Sequence, residues 1–479
     1  MAQSPTPARQ VPQQRQRQEI FLEVTRSVCP VCRKLIDAQI SMREGKIYMR
    51  KRCADHGWFE TLLWSDAKTY VEAVPYNRPG TLPLHFNSEV REGCPYDCGL
   101  CPEHKQHTCV GIIEVTGRCN LDCPVCFAGE EHTAVLSLEE VDAILENLLR
   151  CEEWPDVVQF SGGEPTVHPQ IIDMIRLAKE KRVKCVMLNT NGLRLANDRS
   201  FVAQLAELRP YIYLQFDGLT PQTYQTLRGR NLLDAKLRAL DNLEAAGLGA
   251  VLVYTVVKGV NDHEIGDVVK FGLQHPAVRG VSFQPVFHSG RHLPPFDPMD
   301  RITIPDVMRA VEEQTGGIFK REEIIPIPCC FPTCSAASYA LTLDGEVIPL
   351  PRLVNVADYM DYFTNRAIPE PSHEVMTALE SLWSATVGAG QAPQHLCTAC
   401  GIDFNLALEA LDKSVFLLLI VAFMDEYNFD LKAAMKCCVH ELLPGDRIIP
   451  FCVYNTVGYR ERERGAPTVK ARSTDGLTN

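Results

Sequence analysis

The chain reads as an α/β protein with a parallel sheet at its centre and metal-binding segments on both sides of it. Three observations predict this. Between residues 111 and 325, short apolar runs alternate with helical patterns, and such alternation implies parallel strands joined by right-handed crossovers. Most of the twenty cysteines fall in C-x2-C and C-x3-C clusters within that region and on both sides of it. A chain of 479 residues also exceeds one compact core, so several domains are expected.

The elements follow in order. Residues 1–20 are polar, rich in Pro and Gln and basic, which reads as a disordered tail and not a signal peptide. Residues 21–75 hold Cys29 and Cys32, then Cys53 and His56. Paired spacing of this kind suits a small ribbon around one tetrahedral metal, with GKIYMRKR and GWFETLLW as short strands. The competing reading makes His56 a surface turn residue. Residues 76–110 are turn-rich and carry Cys94, Cys98 and Cys101, with Cys109 close by. Four thiolates close a cluster and make it structural or electron-carrying; Cys109 as a buried free thiol is the alternative.

In the central region the strand candidates are 111–116, 157–161, 184–190, 211–216, 250–257 and 280–286. Ser137 and Glu140 form a capping box, after which Val141, Ile144, Leu145, Leu148 and Leu149 share one helical face. Helical patterns recur at 169–181, 198–208, 233–246 and 262–273. Residues 326–466 read as a further cysteine-bearing domain. Cys330, Cys334, Cys397 and Cys400 are the natural ligand set for another cluster, while the choice between Cys329 and Cys330, and the parts of Cys437, Cys438 and Cys452, stay open on spacing alone. The run Val415–Met424 has ten apolar residues, too short for a spanning helix of about 20. It reads as a buried core helix rather than a wall for a lipid channel or a face on the bilayer. Residues 467–479 read as a second disordered tail.

Composition excludes several classes. The net charge of −12 and pI near 5.6 argue against nucleic acid as the main partner, because phosphate neutralisation needs clustered Lys and Arg. Clustered cysteines without a secretory segment argue for metal ligation in a reducing, cytoplasmic compartment and not for a disulfide framework.

The most informative spacing is Cys119, Cys123 and Cys126, C-x3-C-x2-C, directly after the first central strand. Three thiolates leave one iron of a four-iron cluster without a protein ligand. One β/α unit later, the second strand ends in Ser161-Gly162-Gly163-Glu164-Pro165. Glycines without Cβ let backbone polar groups approach a neighbour closely. Together these motifs resemble the radical S-adenosylmethionine (SAM) enzymes. The resemblance implies a partial (β/α)6 barrel whose open iron chelates SAM, and whose cluster cleaves it reductively to a 5′-deoxyadenosyl radical. Function in barrels gathers at the C-terminal ends of strands. Gly162, Gly163, Glu164, Asn191 and Gln215 are the cofactor-binding candidates there; Asn-Gly and Asp-Gly also make turns regardless of function. His288, Arg291 and His292 follow the sixth strand, as an anion-holding group or as solvated loop charges.

The order of segments, with CNLDCPVCFAG, CCFPTCSAASY, DEYNFDL, KCCVH and IPFCVYN, resembles the tetraether and membrane-spanning lipid synthases. That resemblance implies 4Fe–4S clusters, one binding SAM and two auxiliary, with a rubredoxin-like mononuclear iron or zinc. It implies coupling of two lipid chains, an electron donor such as ferredoxin or flavodoxin, and peripheral contact with the inner face of a membrane. The alternatives are a radical SAM methyltransferase acting on a pterin-like molecule, a peptide-modifying enzyme with auxiliary clusters, and a multi-metal module without catalysis.

Overall fold

The computed structural model describes residues 19–129, 134–152, 155–343, 345–353, 355 and 415–463. Cys397, Cys400 and nearly all of both tails lie outside these residues.

Runs of alternating apolar and polar residues at the N-terminus build a four-stranded antiparallel sheet, β1 (Glu19–Val28), β2 (Leu35–Arg43), β3 (Lys46–Cys53) and β4 (Gly57–Trp64), in that order. Alternation suits a sheet with one buried face; Ile40, Ile47 and Met49 point inward and are fully buried. The sheet docks on the rest of the molecule through named bonds. Thr25 Oγ1 donates to Asp430 Oδ1 at 2.6 Å, Leu62 N to Pro298 O at 3.0 Å, and Lys51 Nζ to Glu426 O at 2.6 Å.

The central region forms β5 (Val110–Thr116), β6 (Val157–Gly162), β7 (Cys185–Thr190), β8 (Tyr211–Gln215), β9 (Ala250–Val256) and β10 (Val278–Pro285), paired in sequence order and parallel throughout. Helices 138–152, 171–180, 199–208, 233–245 and 265–274 cover them. The Ser137 cap is formed as its sequence requires: Glu140 N donates to Ser137 Oγ at 3.2 Å and Ser137 N to Glu140 Oε2 at 2.7 Å. Val141, Ile144, Leu145 and Leu148 then face the core, with Leu149 half-buried.

The C-terminal segment is not separate from this sheet. Its strands β11 (Ile325–Pro326), β12 (Ser335–Leu343), β13 (Glu346–Pro349), β14 (Val415–Val421), β15 (Val439–Leu443) and β16 (Arg447–Pro450) join one twelve-stranded sheet. β14 pairs in parallel with β10 at one end of the six strands, and β15 pairs in parallel with β5 at the other. The boundary expected between residues 325 and 326 therefore falls inside β11, a strand of the common sheet. The apolar run expected as a core helix is β14. Both of its edges are paired, by β10 and β12, and Phe416, Leu418 and Ile420 are buried. A continuous apolar run bounded by polar residues suits an interior strand as well as a buried helix, and here pairing on both sides decides for the strand.

Candidate active site and metal centres

The loop carrying Cys119, Cys123 and Cys126 leaves the C-terminal end of β5, and Gly162-Gly163-Glu164 ends β6 beside it. Gly163 N donates to Thr116 O at 2.7 Å and Glu164 N to Arg118 O at 2.9 Å. The close approach that the glycine pair permits is to this loop. A Cβ on Gly162, whose φ is +129°, would lie 2.2 Å from Thr116 O; one on Gly163 would lie 2.4 Å from Arg118 O.

Other strand ends pin the rest of the loop. Asn191 Nδ2, after β7, donates to Asn120 Oδ1 at 2.6 Å. Arg228 Nη1 donates to Val125 O at 2.7 Å, and Val125 N to Leu227 O at 3.2 Å. Cys126 and Arg291, the latter after β10, exchange both backbone hydrogen bonds at 2.9 Å. The Arg291 guanidinium pairs with Asp122, so it is no free anion holder.

The candidate ligand-contact residues form one connected network. Buried Glu164 accepts through Oε1 from Thr166 N at 3.1 Å and Thr190 Oγ1 at 2.6 Å, and through Oε2 from Asn191 N at 2.6 Å. It ties the end of β6 to the end of β7. Gln215 Oε1 accepts from Lys236 Nζ at 2.7 Å, and Lys236 also holds Asn191 O at 2.5 Å. Asp217 is fully buried and forked to Arg228, with Nε–Oδ2 at 2.7 Å and Nη2–Oδ1 at 2.6 Å. Burial pushes the Lys236 ammonium down to about 7, against the opposing pull of Asp217.

Arg228 and Lys236 were not anticipated. Lys236 has a legible signal, since it shares the buried stripe of its helix with Ala239, Leu240 and Leu243, where an isolated Lys breaks the pattern. Arg228 has none; its partner Asp217 comes from another turn of the chain.

The donor set fits a metal cluster. All three loop cysteines are half-buried. Burial pushes the Cys119 thiol up to about 11 and raises Cys123, the latter against nearby Arg228. Unligated, Cys119 and Cys123 stay protonated near neutrality; a bound cation is what makes them thiolates.

In the ribbon, Cys29, Cys32, Cys53 and His56 place their ligand atoms within 4.8 Å of one another. Cys32–Cys53 Sγ are 3.8 Å apart, and His56 Nδ1 lies 3.5 Å from Cys53 Sγ and 3.7 Å from Cys29 Sγ. A tetrahedron with zinc bond lengths requires edges of about 3.8 Å for S···S and about 3.6 Å for S···N. These separations fit one ion, and His56 is among its donors.

Cys94, Cys98 and Cys101 line one pocket with Glu103, His104 and Met435. Cys109, expected as their fourth partner, lies elsewhere. It sits at the foot of β5, where its N donates to Cys438 O at 2.9 Å, and its Sγ is within 4.8 Å of those of Cys329 and Cys438. The pairing of β5 with β15 fixes it there. Cys329 and Cys438 Sγ are 3.6 Å apart, with Cys330 in the same buried cluster and Cys334 packed against it. Spacing along the chain does not reveal this grouping, because its members come from three segments far apart in sequence.

The radical SAM superfamily profile matches residues 113–272, and the "HMPTM N-terminal zinc ribbon domain" profile matches residues 21–65. The 7,8-dihydro-6-hydroxymethylpterin dimethyltransferase of Methanocaldococcus jannaschii is 36% identical over 480 residues, covering 92% of this chain and 94% of the relative. A probable GTP 3′,8-cyclase of Methanothermobacter marburgensis is 31% identical over 122 residues, 25% of this chain and 39% of that protein. The crystal structure of Streptococcus suis SuiB aligns with 44% of this chain and 47% of its own at 18% identity and a TM-score of 0.37. The M. jannaschii relative, aligned over 92% of the chain and named for pterin methylation, corrects the expectation of lipid-chain coupling. The apolar run offered as a channel wall is an interior strand. Among the described residues no helix is long and apolar enough to cross a membrane.

Proposed function

The chain belongs to the radical SAM superfamily, within the family of the M. jannaschii dimethyltransferase, and from that premise we propose that it methylates a reduced pterin of the 7,8-dihydro-6-hydroxymethylpterin class. It is a radical SAM enzyme that uses 4Fe–4S clusters and SAM, with a mononuclear metal in its ribbon. The observation carrying the substrate reading is similarity over 92% of this chain and 94% of the relative, against 25% of the chain for the cyclase.

When bound, the cluster supplies an electron and SAM a carbon–sulfur bond that an electron can break. The chain's own residues do the rest. Cys119, Cys123 and Cys126 would hold the cluster through their three thiolates. Gly162 and Gly163 let the cysteine loop lie against the end of β6. Glu164 and Asn191 fix β6, β7 and the loop as one unit through the bonds given above. The Asp217–Arg228 fork holds Val125 O between two cluster ligands, and Lys236 sets the Gln215 amide. Such fixed, buried groups keep the reacting atoms in register and keep water out.

The test is anaerobic reconstitution with iron, sulfide, a reductant, 7,8-dihydro-6-hydroxymethylpterin, SAM as radical source, and a one-carbon donor that supplies each methyl, either further SAM or a methylene-carrying reduced folate. Mass spectrometry is expected to show a pterin heavier by one and then two CH2 units, with 5′-deoxyadenosine formed alongside. Formation of 5′-deoxyadenosine with an unchanged pterin would reject the substrate.

A further inference from the structure

Two loops meet at the C-terminal ends of the parallel strands β10 and β14. The first carries His288, His292 and Phe296, and the second Glu426 and Tyr427. The first is joined to the cysteine loop itself, because Arg291 exchanges both backbone bonds with Cys126. His292 is the next residue along.

Four rings gather here. His288 lies 4.4 Å from His292, 4.7 Å from Phe296 and 5.3 Å from Tyr427, centroid to centroid, and Phe296 lies 5.7 Å from Tyr427. All four are half-buried, unlike the core ring of nearby Phe283, which is fully buried. Glu426 Oε1 holds His288 Nδ1 at 2.7 Å. His288 N donates to Asp425 Oδ2 at 2.9 Å, and buried Asp425 is paired with Arg301. Lys51 Nζ holds Glu426 O from the ribbon side. The cluster is therefore braced by these bonds, with the Arg301 guanidinium 5.7 Å from the Phe296 ring, while its rings stay half-buried. One feature lacks a satisfied role: His292 Nδ1 is buried without a hydrogen-bond partner, and a buried polar atom in that condition costs stability unless something binds it.

Resting on the pterin reading above, we propose that His288, His292, Phe296 and Tyr427, with the Glu426 carboxylate, seat the planar nitrogen-rich ring of the substrate beside the cluster. A flat heteroaromatic ring stacks on aromatic and imidazole faces. Its amino-amide edge offers N–H donors to a carboxylate, and its ring nitrogens and oxo group offer partners to His292. An aliphatic chain would use none of the polar atoms.

The test measures equilibrium binding of 7,8-dihydro-6-hydroxymethylpterin to the full-length, reconstituted, SAM-loaded enzyme by titration calorimetry. Phe296→Leu and His292→Gln are expected to weaken binding by about tenfold or more. Tyr427→Leu should do the same, with Tyr427→Phe restoring it. Zinc content and circular dichroism report whether each variant folds. A second measurement needs no variant: the pterin, but not SAM alone, should slow carbethoxylation of His292 in the wild-type protein. Tight binding by wild type with Phe296→Leu and His292→Gln within twofold of it, or unaltered His292 modification, overturns this assignment and leaves the pterin reading standing. No pterin binding by wild type overturns that reading, and this seat with it.

Discussion

Replacing Gly163 by alanine tests the proposed role of the glycine pair most directly. The backbone at Gly163 is not in the left-handed region, whereas Gly162 has φ +129°, so alanine at 163 is blocked by space alone. Its Cβ would stand 2.4 Å from Arg118 O, 2.7 Å from Arg118 C and 2.9 Å from Gly117 O. Carbon needs roughly 3.4 Å to such atoms, so the start of the cysteine loop must retreat by about 1 Å, at an overpacking cost of about 1–3 kcal/mol. A 1 Å misplacement of reacting groups lowers a rate by about 100-fold. The assay is anaerobic 5′-deoxyadenosine formation from SAM per mole of cluster, with iron content measured on the same samples. Gly163→Ala is expected to keep most of its iron and lose about two orders of magnitude in rate. A variant with full iron and a rate within about threefold of wild type would show that the loop position is not what the glycine protects.

Three further outcomes are expected. Arg228→Met leaves the Asp217 carboxyl group buried without its guanidinium partner, at a cost of about 3–5 kcal/mol in urea unfolding, whereas Asp217→Leu combined with Arg228→Met should recover much of it; equal losses in both variants would contradict this. Cys53→Ser should remove the ribbon metal, read by elemental analysis, and leave residues 21–65 open to limited proteolysis, since metal binding and folding of such ribbons are coupled; retained metal would refute the four-ligand site. Lys51, buried between Ser27 and the Glu426 carbonyl, has its ammonium pushed down by burial to about 7, against Asp425 and Glu426, from an ordinary 10.5. Between those values the unfolded chain binds a proton that the folded one does not, so stability climbs with pH, by on the order of 1 kcal/mol per unit at most. Lys51→Met should flatten that climb between pH 7.5 and 9.5, and an unchanged slope would place the titration elsewhere.

The central strands are legible in the sequence because parallel strands are buried on both faces and read as apolar runs ended by turn residues. The run 111–116 becomes β5 (Val110–Thr116), and 211–216 becomes β8 (Tyr211–Gln215). The capping box at Ser137 is equally local. What escapes is non-local. Nothing around Val415 says that its strand pairs with β10, and nothing around Cys109 says that Cys329 and Cys438 meet it. Arg228 is similarly silent until Asp217 is placed opposite. The substrate escapes for another reason: segment order records how metals are held, and proteins of different chemistry share it.

Two of the last three strands to be made flank the six that come first in the sheet, β14 beside β10 and β15 beside β5. During synthesis both sides of the half-built sheet therefore stand exposed on the order of ten seconds or more, awaiting residues still inside the ribosome. Bare strand borders invite wrong partners, and pairings this distant form slowly. A shortened chain ending after β10 should accumulate as aggregate rather than as a working core, and delivery of iron and sulfide is best timed after the chain is released.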